Sequence, residues 1–375
     1  MRVVHVVKAK GIAGAENHLL ILLEALRARG VDASFLYLHP PHNTVDEFKA
    51  AAEARGIPVQ RLPIARHTDP LLYPKLRSAL AALQPDIVNT HLLHADLYGI
   101  PAAQSIRVNG RRPRIVSGRH NDDAFRLKPD QKVINRQLWR MTDAGVAISE
   151  AVRRFSIEVE GARPDQVRTI YYGYQPPPFD PALRTAVRAE LGLTADDVVV
   201  GVTCRLIEQK GLPYGLQAFA QVAGDFPAAK LVITGDGELR GALEAQAAEL
   251  GIAGRTQFIG WRPDAARVMA AYDLFLMPSL WEGFGLVLLE AMAQAIPVVG
   301  SRVSAIPEVV LDGETGLLAE PKDADTLAKH LRRLLADAPL RKHMGMLGQE
   351  RLETIFSVPR MTDQVLALYE EIVES

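Results

Sequence analysis

Arg205 and Lys210 stand in Gly201-Val-Thr-Cys-Arg-Leu-Ile-Glu-Gln-Lys-Gly211, directly after the apolar run 198–200. Two cations in a loop leaving a strand suit a diphosphate, the arginine as a planar fork and the lysine as a point charge. Either alone is more often a surface cation. Further on, Ser279-Leu-Trp-Glu-Gly-Phe-Gly-Leu-Val-Leu-Leu-Glu-Ala-Met-Ala293 follows the apolar run 274–277. Gly283 and Gly285 let the backbone turn tightly and approach a ligand. The helix that starts at Leu286 offers unpaired N–H groups and a positive dipole end to a phosphate. Glu290 lies one turn on, the only charge in 286–293. A lone carboxylate there needs hydrogen bonds, which a ribose diol would supply; a neighbouring amide or arginine would serve as well. Taken together the two stretches point to a nucleoside diphosphate.

Other loops follow strands too. Gly235-Asp-Gly237 and Ile259-Gly-Trp-Arg262 place Gly235, Ile259 and Gly260 where backbone groups could meet a nucleobase, or where the chain simply turns. Gly11-Ile-Ala-Gly-Ala-Glu16 opens a helix over 15–29; its Gly14 touches a phosphate or merely allows a tight connection. His91 follows the strand 87–90 and His120 the strand 114–118, each a candidate for the site or an ordinary loop histidine. His91-x2-His94-x-Asp96 has metal-ligand spacing but no complementary ligand cluster, so acceptor contacts or helix entry are preferred and no metal is expected. Asp323-Ala-Asp325 reads as helix capping. The single cysteine, Cys204, excludes an internal disulfide framework and reads as a small buried hydrophobe.

Positioning these residues requires strands that end in loops. Short apolar runs at 2–7, 32–37, 87–90, 114–118 and 144–148 alternate with helical patterns at 15–29, 46–55, 70–83 and 96–105. The alternation repeats with strands at 198–203, 231–235, 256–259, 274–278 and 297–300 and helices near 211–224, 237–250, 264–271 and 286–294. Parallel sheets covered on both faces follow, twice over. The proline-rich segment 171–181 divides an N-terminal domain, 1–175, from a C-terminal one, 182–358, and an amphipathic helix at 359–375 packs back on the first. At 375 residues, 48% hydrophobic and 23% charged, the chain is an ordinary globular enzyme in composition. Its net charge of −1 excludes a nucleic-acid-coating protein. No run is apolar enough for a membrane span or a signal peptide, which makes a cytoplasmic enzyme the default.

The charge is unevenly placed: residues 1–180 carry 25 Lys+Arg against 18 Asp+Glu, and residues 181–375 carry 18 against 26. Arg107, Arg111, Arg112, Arg114 and Arg119 crowd one region, and Lys128, Lys132, Arg136 and Arg140 recur at helical spacing. A solvated face, an anionic acceptor such as a lipid-linked diphosphate sugar, and an anionic membrane surface all remain open.

The second half resembles the donor-binding domain of retaining GT-B glycosyltransferases of family 4. Glu282 and Glu290 match the Glu-x7-Glu motif, Arg205-x4-Lys210-Gly211 the paired diphosphate-binding cations, and Gly235-Asp-Gly-Glu238, Ala305-Ile-Pro-Glu-Val-Val310 and Asp312-Gly-Glu-Thr-Gly-Leu317 the usual order. The resemblance implies an α/β GT-B fold, two Rossmann-like domains whose parallel sheets face across a cleft. It implies transfer of a sugar, with retention, from a nucleotide diphosphate-sugar (UDP favoured, GDP-mannose the other candidate) to a glycan or lipid-linked acceptor. On that reading Glu282, Gly283 and Phe284 touch the sugar, Glu290 the ribose, and Arg205, Lys210, Gly285, Leu286 and Gly14 the diphosphate. His120 and Glu282 are catalytic, and His91 and Glu16 lie on the acceptor side. No cofactor and no metal are expected. An NAD enzyme is disfavoured because Gly11-x2-Gly14 fails the dinucleotide spacing; a nucleotide-sugar epimerase and a non-catalytic nucleotide-sugar binder are the remaining rivals.

Overall fold

The computed structural model describes every residue except Ala13, residues 66–68, Asp123, Phe179 and Ser375, and nothing of the Ala124 side chain. Ala13 of the glycine-rich turn and Phe179 of the proline-rich segment therefore lie outside the described residues. The chain divides into two compact units, Met1–Gly173 with Phe356–Ser375, and Tyr174–Ile355.

Unit 1 runs β1 (Arg2–Lys8), α1 (Gly14–Ala28), β2 (Asp32–His39), α2 (Asp46–Glu53), β3 (Val59–Pro63), α3 (Leu72–Leu83), β4 (Ile87–His91), α4 (Leu92–Gln104), β5 (Arg114–Arg119), α5 (Pro129–Arg140), β6 (Ala144–Ala147), α6 (Glu150–Glu158) and β7 (Val167–Thr169). Its seven strands are parallel in the order β3-β2-β1-β4-β5-β6-β7. Alternate residues of β1 serve opposite cores. Val3 and Val7 pack with α1 and α2, while Val4 and Val6 pack with α3 and α4. His5, between Val3 and Val7 on the first face, is fully buried. Register then sets its neighbours: His5 pairs with Asn89, and His91 with Gly118.

Unit 2 runs α7 (Leu183–Glu190), β8 (Val198–Thr203), α8 (Leu212–Ala223), β9 (Ala229–Thr234), α9 (Arg240–Glu249), β10 (Thr256–Gly260), α10 (Ala265–Val268), β11 (Leu274–Met277), α11 (Leu286–Ala293), β12 (Val298–Ser301), α12 (Ile306–Val309), β13 (Gly316–Ala319), α13 (Ala324–Ala336) and α14 (Ala338–Ile355). Its six strands are parallel in the order β10-β9-β8-β11-β12-β13. The last helix, α15 (Val358–Glu374), belongs to unit 1. Met361, Val365, Leu368, Tyr369 and Ile372 enter the core beside α1.

Three strands escape the sequence pattern. β3 and β7 are edge strands with polar or exposed residues, and β13 is four residues long. The helix expected over 96–105 begins earlier, at Leu92, because Leu92 itself takes φ 68° and turns the chain straight out of β4. α14 is unforeseen since its surface shows no apolar stripe, only Met344, Gly345, Gly348 and Leu352 being buried.

Candidate functional site

In unit 2, β8 and β11 are neighbours although β9 and β10 lie between them in sequence, so the winding reverses there. Beyond the carboxyl ends of strands at such a reversal, parallel sheets take their ligands. The two loops leaving β8 and β11 carry the predicted cations and the Glu282-Gly-Phe-Gly285 turn. They are fastened together: the Leu280 N–H donates to the Gln209 carbonyl at 2.8 Å, and Gln209 Nε2 to the Trp281 carbonyl at 3.1 Å. The Lys210 ammonium donates to the Glu282 carboxylate, and the two side chains are only 13% and 12% exposed. Each charge supplies the other's partner in a poorly solvated place. Arg205, two residues past β8, is exposed, and its guanidinium makes no hydrogen bond or ion pair among the described residues.

Gly285 stands at φ 82° at the start of α11 and supplies no side-chain cap, so the first amides of α11 are left to a ligand. A Cβ at Gly285 would sit 3.1 Å from both Leu288 and Met277. Phe284 is 2% exposed, so only its backbone faces outward. Glu290, one turn into α11, accepts no hydrogen bond among the described residues, and burial raises its carboxyl to about 7. Burial, and to a lesser extent the Glu290 charge, pushes the half-buried Tyr174 hydroxyl up to about 12. Gly235, at φ 130°, is pressed against the β8 loop, where a Cβ would lie 1.8 Å from the Cys204 carbonyl oxygen. Its N–H donates to the Gly260 carbonyl at 2.8 Å, so those two groups of the expected nucleobase loops serve each other. Cys204 is half-buried and desolvation pushes its thiol up to about 12, as befits packing rather than nucleophilic use.

In unit 1 the reversal falls between β1 and β4. There the histidines form a chain: His5 Nδ1 lies 2.9 Å from His91 Nε2, His91 Nδ1 3.0 Å from His120 Nε2, and His120 Nδ1 2.5 Å from the Tyr172 hydroxyl. Burial holds His5 and His120 down at about 3, with His91 and His18 also far below the usual histidine range. His18 packs its ring on Tyr172, centroids 3.9 Å apart. His120 thus sits in the protein with both ring nitrogens engaged, a setting that the sequence does not announce. Gly14 is the first residue of α1 and exposed; Glu16, in the first turn, is buried.

The sequence pattern described as "Glycosyl transferases group 1" matches residues 184–351, and that of "Glycosyltransferase Family 4" matches residues 12–176. The chain belongs to the group 1, family 4 glycosyltransferases. It is 29% identical, over 95% of each chain, to the lipopolysaccharide core biosynthesis glycosyltransferase LpsE of Rhizobium meliloti. Another relative, N-acetyl-alpha-D-glucosaminyl L-malate synthase of Bacillus anthracis, is 29% identical over 80% of this chain and 81% of that one. Among solved structures, HepE of Anabaena in complex with UDP and glucose superposes with a TM-score of 0.85, 23% identity and coverage of 99% and 100%. These likenesses give the glycosyltransferase its GT-B fold of two Rossmann-like units.

Several expectations change in this setting. His91, His94 and Asp96 do not converge. His91 joins the histidine chain, His94 lies 3.2 Å from Lys8 Nζ, and the fully buried Asp96 receives Arg119 at 2.7 Å together with Thr90 and Ser117. Among the described residues no three His, Cys, Asp or Glu side chains are placed to hold a metal ion. Asp323 caps α13, accepting from the Thr326 amide at 2.9 Å. The arginine crowd also dissolves. Arg119 is 2% exposed and bound to Asp96 and Glu160 at the carboxyl end of β5, whereas Arg112 and Arg114 pair with Asp143 at the opposite end. One strand separates them, so they form no single cationic surface. No helix among the described residues is long and apolar enough to cross a membrane. Sequence reasoning missed His5, Tyr172, Tyr174 and Tyr369, because a histidine inside an apolar strand, a tyrosine in the segment after β7 or a tyrosine on an amphipathic helix carries no local mark of its partners.

Proposed function

We propose that this glycosyltransferase moves a hexosyl group from a UDP-sugar to a glycan or lipid-linked acceptor, with retention of anomeric configuration and without a metal ion. The observation that carries the reading is the half-buried Glu290, without a hydrogen-bond partner among the described residues, one turn behind the uncapped start of α11, in the same unit as the Lys210–Glu282 pair and an Arg205 side chain that makes no ion pair among the described residues. A nucleotide-sugar satisfies all four at once. Its ribose hydroxyls donate to Glu290, its diphosphate takes the α11 amides and Arg205, and Lys210 divides its charge between phosphate and Glu282. Glu282 is then left to accept from the sugar's hydroxyls. The developing negative charge on the leaving UDP is met by Lys210, Arg205 and the helix dipole, which is why no metal is invoked. In unit 1, His120 is assigned a catalytic role with Glu282; His91 and Glu16 are assigned the acceptor side, and Gly14 a diphosphate contact. UDP is favoured over GDP by the UDP-bound HepE structure, and an acceptor in lipopolysaccharide or related glycan synthesis by LpsE.

On the same reading the enzyme works at the cytoplasmic face of a membrane through α5. Lys128, Lys132, Arg136 and Arg140 are exposed there together with Leu127 and Val133, 49% and 59% exposed. Basic residues flanking exposed aliphatic ones suit an anionic lipid surface.

Thermal melting with UDP, GDP, ADP and NAD, each with EDTA or magnesium, tests the donor assignment, since a ligand that binds only the folded state raises the melting temperature. Stabilisation by UDP in EDTA, followed by NMR assignment of the glycosidic configuration in a product made from the matching UDP-sugar, is the expected result. Stabilisation by NAD alone, a strict magnesium requirement, or an inverted product would each overturn the corresponding part.

A further inference from the structure

The histidine chain takes its direction from the end at Tyr369. At one end Asn89 Nδ2 donates to the Tyr369 hydroxyl oxygen at 2.6 Å, and that hydroxyl lies 3.3 Å from His5 Nε2. With its oxygen already accepting, Tyr369 gives its own hydrogen to His5 Nε2. A neutral imidazole that accepts at one nitrogen donates from the other. His5 therefore donates from Nδ1 to His91 Nε2, His91 from Nδ1 to His120 Nε2, and His120 from Nδ1 to Tyr172. At the far end Tyr172 stays a neutral hydroxyl, held so by burial first and by the Glu16 carboxylate second, and its oxygen is the atom that receives the His120 Nδ1 hydrogen in this direction.

The opposite direction would turn the Asn89 amide over. As it stands, Asn89 Oδ1 is buried without a partner. Turned over, the amide would bury its NH2 there instead, and an orphaned N–H is the rarer and costlier arrangement. The space beside the rings, lined by His18, Asn89, His91 and His120 among apolar side chains, is about 20 Å³, room for one water molecule. Close contact is also built in: a Cβ at Gly118 would fall 2.3 Å from His91 Nδ1, so only glycine opposite His91 lets the ring meet His120.

We propose that Asn89, Tyr369, His5 and His91 are positioning residues for His120, forming with it one hydrogen-bonded chain that holds all three imidazoles in the Nδ1–H form. His120 then offers a hydrogen-bond donor at Nδ1, which can pass from Tyr172 to an oxygen of the transferred sugar, and never an acceptor at that atom. The role at the sugar rests on the function proposed above; the proton arrangement does not. Burial, with the charges of Arg119 and Arg126, disfavours a second proton on His120, and burial, with the charge of Glu16, keeps the Tyr172 hydroxyl neutral. His18, packed on Tyr172, adds no competing charge because burial keeps it neutral.

The test is NMR of the full chain labelled with 15N-histidine, in which two-bond 1H–15N correlations show which ring nitrogen carries the proton, with signals assigned by single His→Gln variants. The expected result is the Nδ1–H pattern for His5, His91 and His120 together at pH 7. An Nε2–H or doubly protonated ring at any of the three overturns the proposal. Tyr369→Phe then removes one hydroxyl and keeps the packing. It is expected to give mixed tautomers at His5, His91 and His120 and to lower kcat about tenfold, with the donor KM changed less than about twofold. A variant that only melts earlier while His120 stays Nδ1–H refutes the positioning role. If the NMR pattern holds but the enzyme transfers no sugar to any acceptor, the function proposed above fails and the chain stands.

Discussion

Glu290→Gln separates what the buried carboxylate costs the empty protein from what it contributes to the donor complex. Burial moves the Glu290 carboxyl from 4.5 to about 7, which corresponds to a charged form disfavoured by about 3 kcal/mol, or about 2 once its partial exposure is allowed for. A raised folded-state value means that the carboxyl does no harm below its unfolded value of about 4.5 and that stability is lost as pH rises from there through about 7. Glutamine carries no charge at any pH. The ligand-free variant should therefore match the wild type near pH 4.5 and exceed it by about 2 kcal/mol at pH 8, about 4–8 °C in melting temperature for a unit of this size.

Donor binding should run the other way. Ribose hydroxyls donate to an ionised carboxylate with charge-assisted hydrogen bonds of about 1.5–3 kcal/mol, roughly twice what a neutral amide gives. At pH 8 the variant should bind UDP-glucose about 5–20-fold more weakly, a loss of about 1–2 kcal/mol. Below pH 7 the wild type must first lose a proton, so its Kd should rise by up to about tenfold for each pH unit while that of the variant stays flat. A nucleotide-sugar is used rather than UDP because its diphosphate does not titrate in this range. Calorimetry in buffers of different ionisation enthalpy should show about half a proton released per donor bound at pH 7, and none in the variant. A wild-type affinity independent of pH between 5.5 and 8, or a variant no more stable than the wild type at pH 8, would refute the reasoning.

Lys210→Ala should lower kcat/KM for the donor by about 100-fold, consistent with losing a phosphate contact at a poorly solvated site, and should destabilise the free protein because Glu282 loses its partner. Pairing it with Glu282→Gln should restore most of the melting temperature and none of the activity; recovery of turnover would remove both residues from the reaction. Changing Lys128, Lys132, Arg136 and Arg140 to serine should reduce sedimentation with anionic vesicles by about 100-fold or more, at about 1 kcal/mol per charge, and leave donor binding intact. Equal binding of wild type and variant to those vesicles would exclude α5 as the membrane contact.

Much of the fold could be read locally. The buried strands β1, β2, β8 and β9 announce themselves as short apolar runs between helical patterns, since a strand covered on both faces has nowhere to put a polar residue. β3 and β7, at a sheet edge, need no such pattern and are held by pairing with strands that are legible. α14 lacks a stripe because its contacts are made by glycines and a few apolar side chains, with Gly345 so close to the chain after α11 that a Cβ would meet the Ala295 carbonyl.

The two halves of the candidate site differ in the same way. In unit 2 each chemical group is declared by its own loop: a cation after β8, glycines and a carboxylate after β11. Sequence lacks only the knowledge that β8 and β11 are adjacent, which the doubly wound topology supplies. In unit 1 His5 and His91 come from β1 and β4, His120 from just past β5, Tyr172 from beyond β7, and Tyr369 from the last helix. Each has an adequate ordinary explanation where it stands, and only register brings them into hydrogen-bonding distance. A polar side chain at the centre of a strand buried on both faces is the one signal that could have been used, because it must find a partner or destabilise the core. His5, flanked by Val3, Val4, Val6 and Val7 in the sequence, satisfies that criterion, and its partner is the route from the protein's first strand to its last helix.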